Sequence, residues 1–167
     1  MLKIAAWNSN GLQQRALEIK TFIYNNNIDI LLVSETHSTT KSYMKIPYYT
    51  IYDTKHPSGK AHGVTAVIVG NDIKHYQHSQ VNKEYLQATT VTVQTSSNYF
   101  QLSAVYVPPR HKITSQMWCS GTRQQTSQRF LSRASLLKDS TLRTDDCQMS
   151  IYSHRIFTAS LRTRYKS

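Results

Sequence analysis

The apolar positions of the first hundred residues switch between two periods. Leu2, Ile4 and Ala6 alternate with Lys3, Ala5 and Trp7, which predicts a strand over Leu2 to Asn8. Asn10-Gly11 is a turn signal. Leu12, Ala16, Ile19 and Ile23 then recur every three or four residues, so a helix is expected from about Leu12 to Asn25, with Asn25-Asn26-Asn27 stopping it. Ile28 to Val33 is an almost unbroken apolar run of strand length, the pattern of a strand buried on both faces. Ile46 to Tyr52 is aromatic-rich and extended, and Lys55 to Lys60 is a loop. Val64 to Val69 is a second buried strand, closed by a Gly70-Asn71-Asp72 turn. Ile73 to His78, Leu86 to Gln94 and Phe100 to Val107 complete the set; Leu86 to Gln94 alternates cleanly, which predicts one buried face. One strand-helix-strand unit followed by a meander is an α/β or α+β arrangement, mostly β in its core with helices outside.

Composition changes this picture beyond residue 114. Residues 1–114 carry 9 Lys and 2 Arg, whereas residues 115–167 carry 2 Lys and 7 Arg, with 16 Ser and Thr among 53 residues. Alternation fades there, although Phe130, Leu131, Ala134 and Leu137 share one helical face. Two explanations fit: a basic arm without fixed structure that touches nucleic acid, or a segment read in a changed frame. The chain is therefore divided into 1–114 and 115–167. At 167 residues one domain is the expectation. The formal net charge of +11 makes a polyanion the first partner to consider. Cys119 and Cys147 make neither a disulfide framework nor a zinc site. No apolar run approaches a membrane span, and the start is too short for a signal peptide, so an intracellular, non-secreted protein is expected.

Chemistry is sparse and sits at strand ends. Asn8 ends the first predicted strand, with Asn10 two residues on, and Glu35 follows the Ile28 to Val33 run. A strand-helix-strand unit brings such strands side by side, and ligands of these sheets bind at the carboxyl ends of strands. One carboxylate and one amide oxygen suit Mg²⁺, which keeps several waters beside a substrate phosphate; ordinary turn capping by both residues fits the spacing as well. Tyr106 closes the last strand before Pro108-Pro109, where a phenol and Arg110 suit a phosphate as readily as a half-buried aromatic and a solvated charge suit the surface. His37 lies two residues after Glu35. His75 and His78 lack the same-face spacing of a metal pair on a strand.

Together Trp7-Asn8-Ser9-Asn10-Gly11-Leu12, Ser34-Glu35-Thr36-His37 and Val105-Tyr106-Val107-Pro108-Pro109-Arg110 resemble the endonuclease/exonuclease/phosphatase family, in particular the apurinic-type endonuclease domain of jockey-like non-LTR retrotransposons. His56 to Ala61 and Tyr85 to Thr89 resemble the same subgroup. The resemblance covers about residues 2 to 114. It implies a four-layer α/β sandwich, here in part, and hydrolysis of DNA phosphodiester bonds with Mg²⁺ or Mn²⁺. It assigns the metal to Glu35 with support from Asn8, a catalytic role to Asn8, Glu35 and Tyr106, and a place at the site to Asn10; from their positions alone, His37 and Arg110 are candidates for phosphate or DNA contacts, with a supporting or solvent-facing role open for both. The resemblance further implies DNA and a linked reverse transcriptase as partners and a nuclear site of action; the charge of +11 and the lack of a hydrophobic anchor speak against a membrane substrate.

Two family segments are missing. No Gly-Asp-x-Asn and no Ser-Asp-His occurs; Asp145-Asp146 has no Asn at the right spacing, and His154 follows Ser153. One positioned acid or base contributes about 10²–10⁴ in rate, so a nicking activity is expected to be severely impaired in this chain. Loss of the later part also predicts one apolar sheet face left uncovered. The alternatives are a non-catalytic basic nucleic-acid-binding protein and a phosphoesterase of the same fold acting on another substrate.

Overall fold

A computed structural model of the chain describes residues 2–78, 80–96, 98–108, 141–143, 147–152 and 158–165. Strand β1 (Leu2–Asn8), helix α1 (Ala16–Asn26) and strand β2 (Ile30–Ser34) form a parallel crossover. Strands β3 (Tyr49–Thr54) and β4 (Thr65–Gly70) follow, β4 lying antiparallel between β2 and β3. A second sheet begins with β5 (Lys74–Gln77), β6 (Val81–Lys83), β7 (Leu86–Gln94) and β8 (Asn98–Tyr106), all antiparallel. Strands β9 (Thr141–Arg143), β10 (Cys147–Tyr152) and β11 (Thr158–Tyr165) join both sheets from the C-terminal region. The first sheet runs β3-β4-β2-β1-β10-β9; the second runs β11-β8-β7-β5, with β6 also on β7.

The two sheets pack face to face. Ile4, Ala6, Ile30, Leu32, Val67 and Val69 of the first meet Val91, Val93, Leu102 and Ala104 of the second in one buried cluster. On the opposite face of the first sheet, Ile19 and Ile23 of α1 cover Leu31, Val33, Ala66 and Ile68. Each fully buried Leu, Ile or Val contributes about 1.5–3 kcal/mol by leaving water, so β2 and β4, buried along their whole length, hold the architecture. The inter-sheet layer also contains hydroxyls. Thr89 Oγ1 lies 2.8 Å from Thr54 Oγ1 and 2.9 Å from Thr65 Oγ1, all three buried, linking β7 to β3 and β4.

The unbroken apolar run Ile28 to Val33 is buried on both faces, as its pattern predicts, and the Asn triplet ends α1 with Asn27 in a left-handed C-cap. Several expectations are corrected. Leu12 is not helical; its N–H donates to Thr36 O at 2.9 Å, which holds it in the turn before α1. Strand β3 starts three residues later than its aromatic pattern suggests, after Pro47 and after Tyr48 at φ 64°. Strand β7 is buried on both faces rather than one. Its second face packs Leu86 and Ala88 against Val81 and Val105, and pairs Thr90 with Ser103 at 2.9 Å. The short strand β6 escapes the sequence pattern. The inner face of the first sheet is not left bare, because β7 and β8 cover it. The helical stripe at 130–137 lies outside the described residues, as do Arg110 and Cys119. No helix among the described residues is long and apolar enough to cross a membrane.

Candidate active site

Strands β1, β2 and β3 run the same way, so their carboxyl ends share one rim, where β4 begins. Asn8 is the last residue of β1 and pairs with Ser34, the last of β2; Glu35 is the next residue. Alternation along β1 and β2 sets Asn8 and Ser34 on the face that carries Ile4, Ala6, Ile30 and Leu32, toward the second sheet. Asn8 and Glu35 are both half-buried. The segments beyond the strands are stitched together by backbone. Ser9 N donates to Ser34 O at 2.9 Å, Gly11 N to Glu35 O at 2.8 Å, Thr36 N to Val64 O at 3.3 Å and His37 N to Gly63 O at 3.0 Å. The Asn10 N–H donates to Asn8 Oδ1 at 3.2 Å, which turns the Asn8 amide so that its NH₂ group faces away from the turn.

Tyr106 approaches the same rim from the second sheet. It pairs with Gln87 across β7 and β8. Its ring lies directly on Gly63: a Cβ built on that glycine would stand 2.2 Å from Tyr106 Cε1 and 3.1 Å from Gln87 Oε1. Gly63 has φ 61°, so a bare Cα is required twice over, by conformation and by contact. The rim is conformationally strained as a whole. Asn10, Glu35, His37 and Val64 have φ of 42°, 52°, 51° and 74°, and for a β-branched residue such as Val64 that is a true outlier.

Three buried side-chain atoms near this rim, Ser34 Oγ, Thr36 Oγ1 and Gln87 Oε1, have no hydrogen-bond partner among the described residues. Gln87 is 0% exposed, and its Nε2 donates to Lys83 O at 2.7 Å, so its oxygen necessarily points the other way. Unpaired buried acceptors are rare enough that each marks a place for water, an ion or a substrate group.

The structure thus brings Asn8, Glu35, His37 and Tyr106 to one rim, where Asn10 is exposed. Arg110 lies outside the described residues. Two other histidines serve local structure: His75 Nδ1 is 2.7 Å from Ile73 O and His78 Nε2 is 2.6 Å from Thr92 Oγ1. No group of three His, Cys, Asp or Glu side chains able to hold a metal occurs among the described residues. The donors present are hard oxygens: the Glu35 carboxylate, the second lone pair of Asn8 Oδ1 and the unpaired Ser34 Oγ. Such a set fits a small divalent cation that keeps most of its water, and does not fit a zinc site. Sequence reasoning missed Ser34, Gly63 and Gln87. Only Gln87 left a trace, a polar residue in register with Val91 and Val93 on an otherwise apolar strand face.

The fold and this rim define an α/β sandwich of one mixed and one antiparallel sheet, whose polar groups collect where the strands of the first sheet end. No family model matches the chain. The chain is 33% identical over 111 residues to the RNA-directed DNA polymerase from mobile element jockey of Drosophila melanogaster, which is 66% of this chain and 12% of that protein. The corresponding protein of Drosophila funebris gives the same figures. A probable RNA-directed DNA polymerase from transposon BS of Drosophila melanogaster is 32% identical over 114 residues, 67% of this chain and 13% of that protein. About two thirds of the chain is therefore homologous to proteins of jockey-like non-LTR retrotransposons, although it spans only about an eighth of their length. Among solved structures, the endonuclease domain of TRAS1, a telomere-specific non-LTR retrotransposon, superposes with a TM-score of 0.49 at 17% identity, covering 71% of this chain and 50% of that chain.

Proposed function

We propose that the rim is the metal- and phosphate-binding part of a retrotransposon-type endonuclease that nicks DNA, and that this chain alone turns over poorly. The observation that carries the reading is the meeting of Asn8 and Glu35, from adjacent parallel strands, with Tyr106 from the other sheet, seated on Gly63. Glu35 and the free lone pair of Asn8 Oδ1 would hold Mg²⁺ or Mn²⁺. Bound there, the ion supplies positive charge to a phosphodiester oxygen. The Asn8 NH₂ group, turned outward by the Asn10 contact, donates to a non-bridging phosphate oxygen. The Tyr106 hydroxyl donates to a second one. His37, held by its own N–H to Gly63 O, flanks the phosphate. Deprotonation of the attacking water has no assigned carboxylate, because the Gly-Asp-x-Asn and Ser-Asp-His segments do not occur. Without that group the rate falls by about 10²–10⁴. In the parent element the product nick would serve a linked reverse transcriptase.

Mn²⁺ binding, followed by water-proton relaxation on the full chain, tests the site separately from turnover. Glu35→Gln is expected to abolish the enhancement and Asn10→Ala to leave it. Equal binding by Glu35→Gln would remove the metal reading. Plasmid nicking with Mg²⁺ is expected to stay close to background; robust nicking that Glu35→Ala abolishes would overturn the impairment and keep the site. The net charge of +11 favours one alternative, sequence-independent binding through phosphates alone. That alternative predicts affinity that falls with salt and ignores Asn8, Glu35 and Tyr106.

A further inference from the structure

The strand end that carries Glu35 continues into a second feature, on the other side of the first sheet. After Ser38 the chain makes a tight turn in which Thr39 N donates to Ser42 Oγ at 2.9 Å and Ser42 N to Thr39 O at 3.0 Å. Ile46 then anchors the segment in the core, 1% exposed, and Tyr24 Oη donates to Pro47 O at 3.0 Å. Between these two fixed points Tyr43 is 75% exposed, with Lys41 and Lys45 exposed on either side of it. Apolar burial does not account for an aromatic ring presented this way on a pinned backbone.

Beneath the ring lies a groove of about 180 Å³, lined by Ser38, Tyr43, Met44, Ile51, Asp53 and Lys55 among others. A cavity of about 150 Å³ accepts a benzene ring, so the open groove has room for a planar ring beside Tyr43. Its wall is apolar at Met44 and Ile51. Its polar lining includes Gln13, Ser42, the Ser38 hydroxyl and the Asp53 carboxylate, whose charge Lys55 neutralises by direct contact. Ser38, which lines the groove, lies only three residues beyond Glu35 at the rim.

Resting on the endonuclease reading, we infer that the Tyr43 groove is a subsite for one unpaired base of the DNA strand that continues from the phosphate at the rim. Tyr43 stacks on the base, Ser38 and Asp53 meet its polar edge, and Lys41 and Lys45 bind the flanking phosphates. Stacking of this kind tolerates any base, because every base has a π-face.

The test measures binding of a fluorescein-labelled single-stranded DNA dodecamer to the full chain by anisotropy in EDTA, where no cleavage occurs. Tyr43→Ala is expected to weaken binding roughly 5- to 100-fold. Tyr43→Phe restores it to within about twofold, because the ring alone stacks. Tyr76→Ala, at an exposed tyrosine of the second sheet, leaves it unchanged. Lys41→Ala with Lys45→Ala lowers the slope of log affinity against log salt by about 1.4. Unchanged affinity in Tyr43→Ala, with binding still salt-dependent, overturns the subsite and leaves the DNA reading intact. Absence of binding by the unaltered chain at low salt overturns both.

Discussion

The two ends of the first sheet are built from the same strands and obey different rules. At the lower end nearly every polar group has a partner. Lys3 N donates to Asp29 Oδ2 at 2.6 Å and Asp29 N to Lys3 O at 2.9 Å. Gly70 N donates to Asp29 O, Asn71 N to Tyr48 O, Thr50 Oγ1 to Asn71 Oδ1 and Tyr49 Oη to Ile28 O. At the upper end four non-glycine residues sit at positive φ and three buried oxygens are left unpaired among the described residues. Each strained residue costs about 1–3 kcal/mol; the lower end bears it too, at Asn27 and Tyr48 with φ of 50° and 64°, but leaves no buried side-chain oxygen unpaired among the described residues. Unpaired buried polar groups gathered at one end, in a sheet whose other end satisfies its own, set that rim apart.

The largest effect that would sharpen this contrast is at Gly63. Gly63→Ala must pay for a left-handed conformation and for a collision with Tyr106, and should lose roughly 2–5 kcal/mol in urea unfolding. Gly59→Ala, at φ 70° with nothing within 4 Å of the added Cβ, should lose only about 1–2 kcal/mol. Equal losses would mean that the Tyr106 contact is loose. At the lower end, Asp29→Ala should lose on the order of 1.5 kcal/mol, the value of one partly exposed charge-assisted hydrogen bond. At the upper end, Ser34→Ala removes a hydroxyl with no partner among the described residues, so the midpoint should stay within about 0.5 kcal/mol or rise. A loss above that would show that Ser34 is paired in solution and that the two ends do not differ. The smallest effect is at Tyr49. Burial, and then the nearby Asp29, Tyr24 and Asp72, raise its pKa above the ordinary tyrosine value. The unfolded chain therefore loses the phenol proton first, and stability falls as pH rises above about 10. Tyr49→Phe should flatten that part of the pH–stability curve; an unchanged slope would place the loss elsewhere.

The local elements were legible because they depend on local pattern. The limits of β7 match its alternation residue for residue, and β1 matches as well. The rim was legible in part, since a parallel crossover puts Asn8 beside the end of β2 whatever lies around it. What the sequence hides is nonlocal. Nothing near Gly63 announces that Tyr106, more than forty positions later, will lie on it. Gln87 and Thr89 share a face with Val91 and Val93, but nothing in the sequence shows that β3 and β4, from a different sheet, supply the partners of Thr89. The pairing of β10 with β1 is equally out of reach, because it joins the first strand to residues 147–152.

The threonine triplet between the sheets has a mechanical consequence. Apolar packing between two sheets resists sliding through shape alone, without direction. Three hydroxyls meeting at 2.8 and 2.9 Å add direction, and they sit two positions from Gln87 and one from Val64. They act as a dowel that fixes the lateral offset of the sheets, and with it the gap between the phenol of Tyr106 and the amide of Asn8, before any ligand arrives.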